Sequence, residues 1–180
     1  MRIEKLPHLE TKIPLNSISI TTNQDALRKL FRVELLEICW TEKELTLLLS
    51  KLADSVASEE LADALLDDLS MSFNHLDRLE DILLSMDEAA KFKACDTMVQ
   101  LIAEAEKIIS SGTPGVVQDA AIFSLVKRIR YSQIASYGII CSFLKNMEQF
   151  EELVIMEVSL DEERSAYRNL LQSASTLLNG

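Results

Sequence analysis

Helical spacing of apolar residues constrains the fold of this chain more than any other feature. From residue 24 to residue 178, apolar side chains recur at intervals of three and four residues, which is typical of helices with one buried face. The 180 residues include only four Gly and three Pro, and two of the prolines are Pro7 and Pro14. Few helix-breaking residues interrupt the pattern, so the sequence predicts an all-α protein.

Short breaks divide this pattern into five predicted helices. The longest break is the segment 110–115, where Gly112 suits a left-handed helix C-terminus and Pro114 suits a turn or a helix start. Short connections make sequential helices antiparallel, so we expect an up-and-down bundle. The predicted helices cover residues 24–56, 59–86, 91–110, 116–145 and 148–178.

The N-terminal segment lacks the helical pattern of the rest of the chain. It contains His8, two prolines and a polar run that ends at Asn23, which suits a helix N-cap. We therefore expect an N-terminal tail over residues 1–23 and a single helical bundle domain over residues 24–180.

Charge and cysteine content exclude several classes of function. The net charge is −11, and such a field repels phosphate backbones and anionic membrane surfaces. No stretch approaches the roughly 20 apolar residues that span a bilayer. We therefore expect neither nucleic acid nor a membrane as a partner. The widely spaced Cys39, Cys95 and Cys141 favour unpaired core residues in a reducing compartment, which predicts a cytoplasmic protein.

An acid lies in the middle of the apolar stripe of the first helix. A carboxylate among leucines loses several kcal/mol of hydration unless a proton, a cation or a metal compensates it. Glu42 therefore predicts either a polar site or a buried ion pair. The stripe consists of Leu27, Phe31, Leu35, Ile38, Glu42, Leu45, Leu49 and Leu52.

Other helices also direct charged side chains toward apolar surroundings. The core-facing stripe of the fourth helix contains Arg130, followed by Gln133 and Tyr137, and that of the fifth contains Glu163, with Glu162 beside it. In the third helix, Glu104 follows Leu101 by about one turn. Carboxylates from several helices of a bundle are the usual ligands of a carboxylate-bridged di-metal site.

Eight short segments, in collinear order between residues 27 and 178, carry a resemblance to a known family. They are Leu30–Phe31, Glu34–Leu35, Trp40–Leu45, His75–Glu80, Leu101–Ala105, Asp119–Ala121, Ile134–Gly138 and Leu160–Glu163. Together they resemble the YciE/YciF-type family of ferritin-like bacterial stress proteins. The resemblance implies a ferritin-like bundle that readily pairs as a dimer, and iron binding or ferroxidase activity at a di-iron-type site.

The chain departs from the family pattern at that site. Ser70 and Met71 stand where the family typically has acids. Arg130, Tyr131 and Gln133 stand where it typically has Glu, His and Glu. The acids that remain at matching positions are Glu42, Glu104 and Glu162 or Glu163.

The favoured hypothesis is a degenerate, metal-free site without catalytic residues or a cofactor. Arg130 would replace the lost metal, because a Glu-to-Arg change raises the local charge by two units and disfavours a divalent cation. The protein would then act through self-assembly, as a homodimer, or through a protein partner. The buried ion-pair network would comprise Arg130, Glu42, Glu104, Glu162 and Glu163.

The alternative hypothesis is an iron-binding protein or ferroxidase with an altered ligand set. Its ligands would be Glu42, Glu104, Glu162 and Glu163, helped by His75 or Asp68. In the metal-free hypothesis we expect His75 to be a partly exposed, hydrogen-bonded side chain instead. A helical adaptor unrelated to metal is a third class that residue spacing alone leaves open.

Overall fold

The computed structural model describes residues 15–86 and 92–177, and the side chains of residues 15–22, 111 and 173–177 are not described. Within these ranges the chain forms five α-helices and no strand, which confirms the predicted all-α class. No described helix has a stretch long and apolar enough to cross a membrane. The helices are α1 (Leu15–Ser55), α2 (Glu59–Ser85), α3 (Asp96–Ser111), α4 (Val116–Asn146) and α5 (Phe150–Leu177).

Helix α1 begins earlier than predicted. Residues 15–23, which were expected to belong to a tail, are helical, and Asn23 is an exposed residue inside α1 rather than its N-cap. This stretch contains no Gly or Pro, so nothing in it breaks a helix that follows Pro14. The remainder of the predicted tail, residues 1–14, lies outside the described residues.

The most extensive helix contacts pair α1 with α2 and α4 with α5. Residues 56–58 and 147–149 connect the helices of these two pairs, and connections this short make the paired helices antiparallel. Helix α4 also contacts α1 and α3. The result is a helical bundle whose core forms two apolar clusters, one toward each end.

Two adjacent side chains of α4 hold the connection between α1 and α2. The two carboxylate oxygens of Asp119 accept hydrogen bonds from the backbone N–H groups of Ala57 and Ser58, both at 2.9 Å. The side-chain amide of Gln118 donates to the carbonyl of Ser55 at 2.9 Å. These bonds satisfy backbone groups that the end of α1 and the start of α2 leave without helical partners.

Gly112 ends α3, but its conformation differs from the predicted one. Its backbone is extended, with φ −91° and ψ 156°, rather than left-handed. A Cβ at this position would clash with the side-chain amide of Gln118 and would lie 2.8 Å from the carbonyl oxygen of Ile108. Glycine is therefore required here by lack of space and not by a positive φ.

Candidate functional site

A layer of polar side chains crosses the bundle between the two apolar clusters. In α1, for example, Glu42 separates Cys39 of one cluster from Leu45 of the other. Helices α1, α2, α4 and α5 each contribute side chains from their buried stripes, so these four helices meet at the level of the layer. The buried polar side chains of the layer are Glu42 from α1, Asp68, Ser72 and His75 from α2, Arg130 and Gln133 from α4, and Ser159 and Glu163 from α5.

The guanidinium of Arg130 lies between two acids. Its side chain is 3% exposed, its Nη1 donates to Oε2 of Glu163 at 2.7 Å, and its Nη2 contacts Oδ1 of Asp68. Burial lowers the pKa of Arg130, but the negative charges of Glu163 and Asp68 outweigh that effect and raise it above its ordinary value. Arg130 is therefore a permanent buried cation, placed on the core stripe where its sequence position predicted it.

The imidazole of His75 connects α2 to α1 and α5. Its Nδ1 lies 3.3 Å from Oε1 of Glu42 and 3.4 Å from Oε1 of Glu163, and its Nε2 lies 2.9 Å from Oε2 of Glu162. Burial lowers the pKa of His75, but the carboxylates of Glu163 and Glu42 outweigh this effect and raise the pKa to about 10. At neutral pH the ring is thus protonated, donates from both nitrogens and forms a second buried cation.

The exposure expected for His75 is wrong, because its side chain is fully buried. The signal that places it inside is the spacing of α2. The buried positions of that helix alternate between steps of four and three residues, and Asp68 and His75 both lie on this stripe. The stripe is Leu61, Leu65, Asp68, Ser72, His75, Leu79 and Ile82.

One oxygen of Glu42 is bonded and the other is not. Oε1 accepts hydrogen bonds from Nε2 of Gln133 at 2.9 Å and from the hydroxyl of Tyr137 at 2.7 Å. Burial and the charge of Glu42 raise the pKa of Tyr137 well above its ordinary value, so its hydroxyl remains a donor. Oε2 of Glu42 and Oε1 of Glu163 are buried and accept no hydrogen bond within the described structure.

Glu162 lies at the rim of the layer, beside the buried Glu163. Its side chain is 38% exposed, and its two oxygens accept hydrogen bonds from Arg78 at 2.5 and 3.1 Å. Arg78, together with His75, lowers the pKa of Glu162 below its ordinary value. Both acids of this pair therefore face the site, one inside it and one between it and solvent.

The placement predicted for Glu104 is wrong. Its carboxylate pairs with the guanidinium of Arg128 at the surface, where the two side chains are 43% and 47% exposed. The buried positions of α3 include Leu101 and Ala105, and Glu104 lies beside this stripe rather than on it. Glu104 consequently belongs neither to the buried network nor to a ligand set around Glu42.

The residues of the layer do not fit a di-metal centre. Within the described residues, one group could hold an ion: the ligand atoms of Glu42, His75 and Glu163 lie within 4.8 Å of one another. A di-metal site in a helical bundle generally uses about six side-chain ligands. In addition, the guanidinium of Arg130 already contacts the carboxylates of Glu163 and Asp68.

Sequence reasoning missed three contributors to this arrangement. Asp68 was considered only as a helper to a metal, although it pairs with Arg130. Gln133 and Tyr137 were placed on the buried stripe of α4 without a role, although both donate to Glu42. Their positions one and two turns beyond Arg130, on the same face as that cation, were the available signal.

Comparisons with known proteins agree with this architecture. Residues 26–180 match the model of a family described as a domain of unknown function, DUF892. The protein YciF of Escherichia coli (strain K12) is 27% identical over 139 residues, which cover 77% of this chain and 84% of YciF.

Two solved structures have the same fold. The crystal structure of the E. coli stress protein YciF gives a TM-score of 0.80 at 26% identity, covering 85% of this chain and 97% of that one. The structure of YcfI from Rhodopseudomonas palustris gives a TM-score of 0.76 at 20% identity, covering 91% and 97%, and at that identity it shows the fold alone.

Proposed function

This chain belongs to the DUF892 family, and on that premise we propose that it is a metal-free, ferritin-like protein that acts in a stress response through self-assembly or a protein partner. Its relationship to the stress protein YciF of E. coli supports the stress-related role. In this role the polar layer is a structural element, and none of its residues is catalytic.

The position of Arg130 is the observation that carries the metal-free part of the proposal. Its guanidinium contacts Glu163 and Asp68, so it supplies the positive charge that an ion would otherwise supply to these carboxylates. A unit charge 4 Å away repels each unit of an incoming ion's charge by about 4 kcal/mol at an effective dielectric constant near 20.

Metal analysis after expression in iron-supplemented medium tests this part of the proposal. The wild-type protein is expected to contain far less than one iron, manganese or zinc ion per chain. A matched variant, Arg130→Glu with Gln133→Glu, restores acids where the family resemblance implies them and should retain more metal. Near-stoichiometric metal in the wild-type protein, together with oxygen-consuming oxidation of ferrous iron, would refute the metal-free assignment.

An iron-binding protein with an altered site is the second candidate. It is favoured by the convergence of Glu42, His75 and Glu163 and by the two carboxylate oxygens there that accept no hydrogen bond. Iron held by these residues would supply redox chemistry. Because His75 must lose its proton to become a ligand, metal uptake would rise with pH and release protons, and His75→Gln would abolish it.

An exposed apolar stripe on α5 supports self-assembly. Its residues are spaced so that they share one helix face, and exposed apolar patches commonly mark interfaces. Arg78 and Asp81 line the same shallow groove as three of these residues, so a symmetric contact between two copies can place the cation of each against the acid of the other. The stripe consists of Phe150, Val154, Ile155 and Val158, which are 61%, 62%, 38% and 46% exposed.

A further inference from the structure

A cavity of about 490 Å³ lies at the end of the bundle where α2 and α4 end and α5 begins. It is separate from the polar layer, since none of the layer's residues lines it. Its volume falls in the range of about 300–1,000 Å³ that is usual for small-molecule sites. Its size is therefore that of a small-molecule binding site.

The cavity combines an apolar floor with a cationic rim. Phe31 and Leu144, which are core residues, form the floor. Two methionines lie beside them, Met147 half-buried and Met86 39% exposed. Methionine side chains are flexible and polarizable, so they adapt to the shape of an apolar guest.

The charged residues that line the cavity are mainly cations, whereas the whole chain has a negative net charge. The chain has 18 Lys and Arg against 29 Asp and Glu, yet the described lining contains three cations and a single acid. The cations Arg28, Lys29 and Arg32 come from one turn of α1, and the acid is Glu152 near the start of α5. Arg28 and Lys29 therefore favour an anion at this rim, although the net charge of the chain is −11.

We propose that this cavity binds a small amphiphilic anion, namely a free carboxylate with an unbranched apolar chain of medium length. The carboxylate lies at Arg28 and Lys29, and the apolar chain lies against Phe31, Leu144 and the methionines. Cations near the ends of α2 and α4 also complement the negative ends of these helix dipoles. The helix-dipole effect explains why cations lie at this end of the bundle, but it does not explain the apolar cavity beside them.

Calorimetric titration of the full chain with sodium octanoate at low ionic strength tests the proposal. We expect saturable binding at one site, with affinity rising about two- to fourfold per added CH₂ from hexanoate to decanoate, because each group buries apolar surface. Octanol lacks the carboxylate, and inorganic phosphate lacks the apolar chain. Each should bind at least about tenfold more weakly than octanoate, because it loses either the charge pair or the burial of the chain.

Two variants locate the site. Arg28→Gln with Lys29→Gln should weaken octanoate binding about tenfold, whereas Lys51→Gln with Arg168→Gln, which removes two exposed cations elsewhere, should change it less than about twofold. Ser85→Trp keeps all the cations, fills the cavity from the end of α2 and should abolish binding. Thermal unfolding of each variant shows that it remains folded.

Several results would overturn the proposal. They are the absence of saturable octanoate binding, equal affinities for octanol and octanoate, undiminished binding by the Ser85→Trp variant, and equal affinities of the two charge variants. Sedimentation of the protein with phosphatidylglycerol vesicles without binding of monomeric octanoate would also overturn it, since the rim would then recognise a lipid surface rather than a free carboxylate.

Discussion

Arg128 and Arg130 lie two residues apart on α4, and each pairs with an acid in a different environment. Arg130 and Glu163 are 3% and 0% exposed, whereas Arg128 and Glu104 are 47% and 43% exposed. Water and salt screen the exposed pair, so its loss costs little. Removing one partner of the buried pair leaves a charge without compensation in the core.

Replacing Arg130 by Ala is expected to lower the free energy of unfolding by roughly 3–5 kcal/mol, because Glu163 and Asp68 would remain buried without their cation. The Arg128→Ala variant is the matched control and should lose less than about 1 kcal/mol. Urea denaturation of both variants measures the difference. Equal, small losses for the two variants would show that the buried network does not hold the core together.

The stability of the fold is expected to fall as pH rises from about 6.5 to 8.5 because of His75. The folded protein raises the pKa of His75 from 6.5 to about 10, so over this interval the unfolded state loses a proton that the native state keeps. The free energy of unfolding should then fall by up to about 1.4 kcal/mol per pH unit. Below pH 6.5 both states are protonated, and the contribution of His75 no longer changes.

The His75→Gln variant is the control for this pH dependence, since it leaves His8 in place. The urea unfolding measurements on both proteins should extend no higher than about pH 8.5. Burial raises the pKa of Cys39 to about 12 and that of Cys141 to about 11, so at higher pH these thiols also lower the free energy of unfolding as pH rises. A flat wild-type profile, or equal slopes for the two proteins, would show that His75 is neutral in the folded state.

The sequence predicts the buried charges of α1, α4 and α5, where apolar neighbours define the stripe of each helix, but the burial of His75 and Asp68 was missed although α2 has an equally clear stripe. Glu42, Arg130 and Glu163 lie in long helices, and the stripe around each was placed correctly. Helix α3 has only 16 residues, so its face is poorly defined by spacing, and Glu104 was placed inside although Ala105 takes the buried position. Which side chains bond to one another depends on four helices at once, and the pattern of a single helix does not contain that information.

At the scale of the elements, Asp119 holds two helix ends with one side chain. It is 3% exposed, and its two oxygens bond the backbone N–H groups of Ala57 and Ser58. In the Asp119→Asn variant, the side-chain NH₂ would face one of these N–H groups and leave two donors unpaired. We expect a loss of roughly 1–3 kcal/mol in the free energy of unfolding.

Hydrogen exchange measures the same change locally. The amides of Ala57 and Ser58 should exchange much faster in the Asp119→Asn variant, while the exchange of amides in the middle of α4 should quicken only by as much as the loss of global stability requires. The Asp161→Asn variant, whose side chain is 76% exposed, should leave both amides unchanged. Unchanged protection in the Asp119→Asn variant would show that the connection between α1 and α2 does not depend on Asp119.

Helix boundaries were predicted most accurately where the sequence supplies a distinct stop or cap. The start of α2 follows Ser58, whose side chain accepts a hydrogen bond from the backbone N–H of Leu61, and it was predicted at the correct residue. The start of α1 was not, because a single polar run was taken for a break although it contains no Gly or Pro. A polar run without Gly or Pro does not by itself end a helix.

For the whole molecule, the polar layer divides the core into two apolar clusters and joins four helices at one level. Buried ion pairs often add little net stability compared with apolar packing, but they disfavour alternative alignments in which a charge would remain unpaired. We infer that the layer fixes the register of the helices. This role needs no metal and is therefore consistent with the proposed metal-free function.

The exposed stripe of α5 is where such contacts are expected between two copies of the chain. Size-exclusion chromatography with light scattering should give a dimer for the wild-type protein and a monomer for Val154→Glu with Val158→Glu, because four like charges would meet in a symmetric interface. Both residues are exposed, so the variant should fold normally.

The matched control for this experiment is Leu47→Glu with Val117→Glu, which also replaces two exposed apolar residues, 58% and 86% exposed, but on α1 and α4. This control is expected to remain dimeric, because neither position belongs to the α5 stripe. A monomeric wild-type protein would remove self-assembly from the proposed function and leave a protein partner. A dimer that survives in the α5 variant but not in the control would place the interface on another face of the bundle.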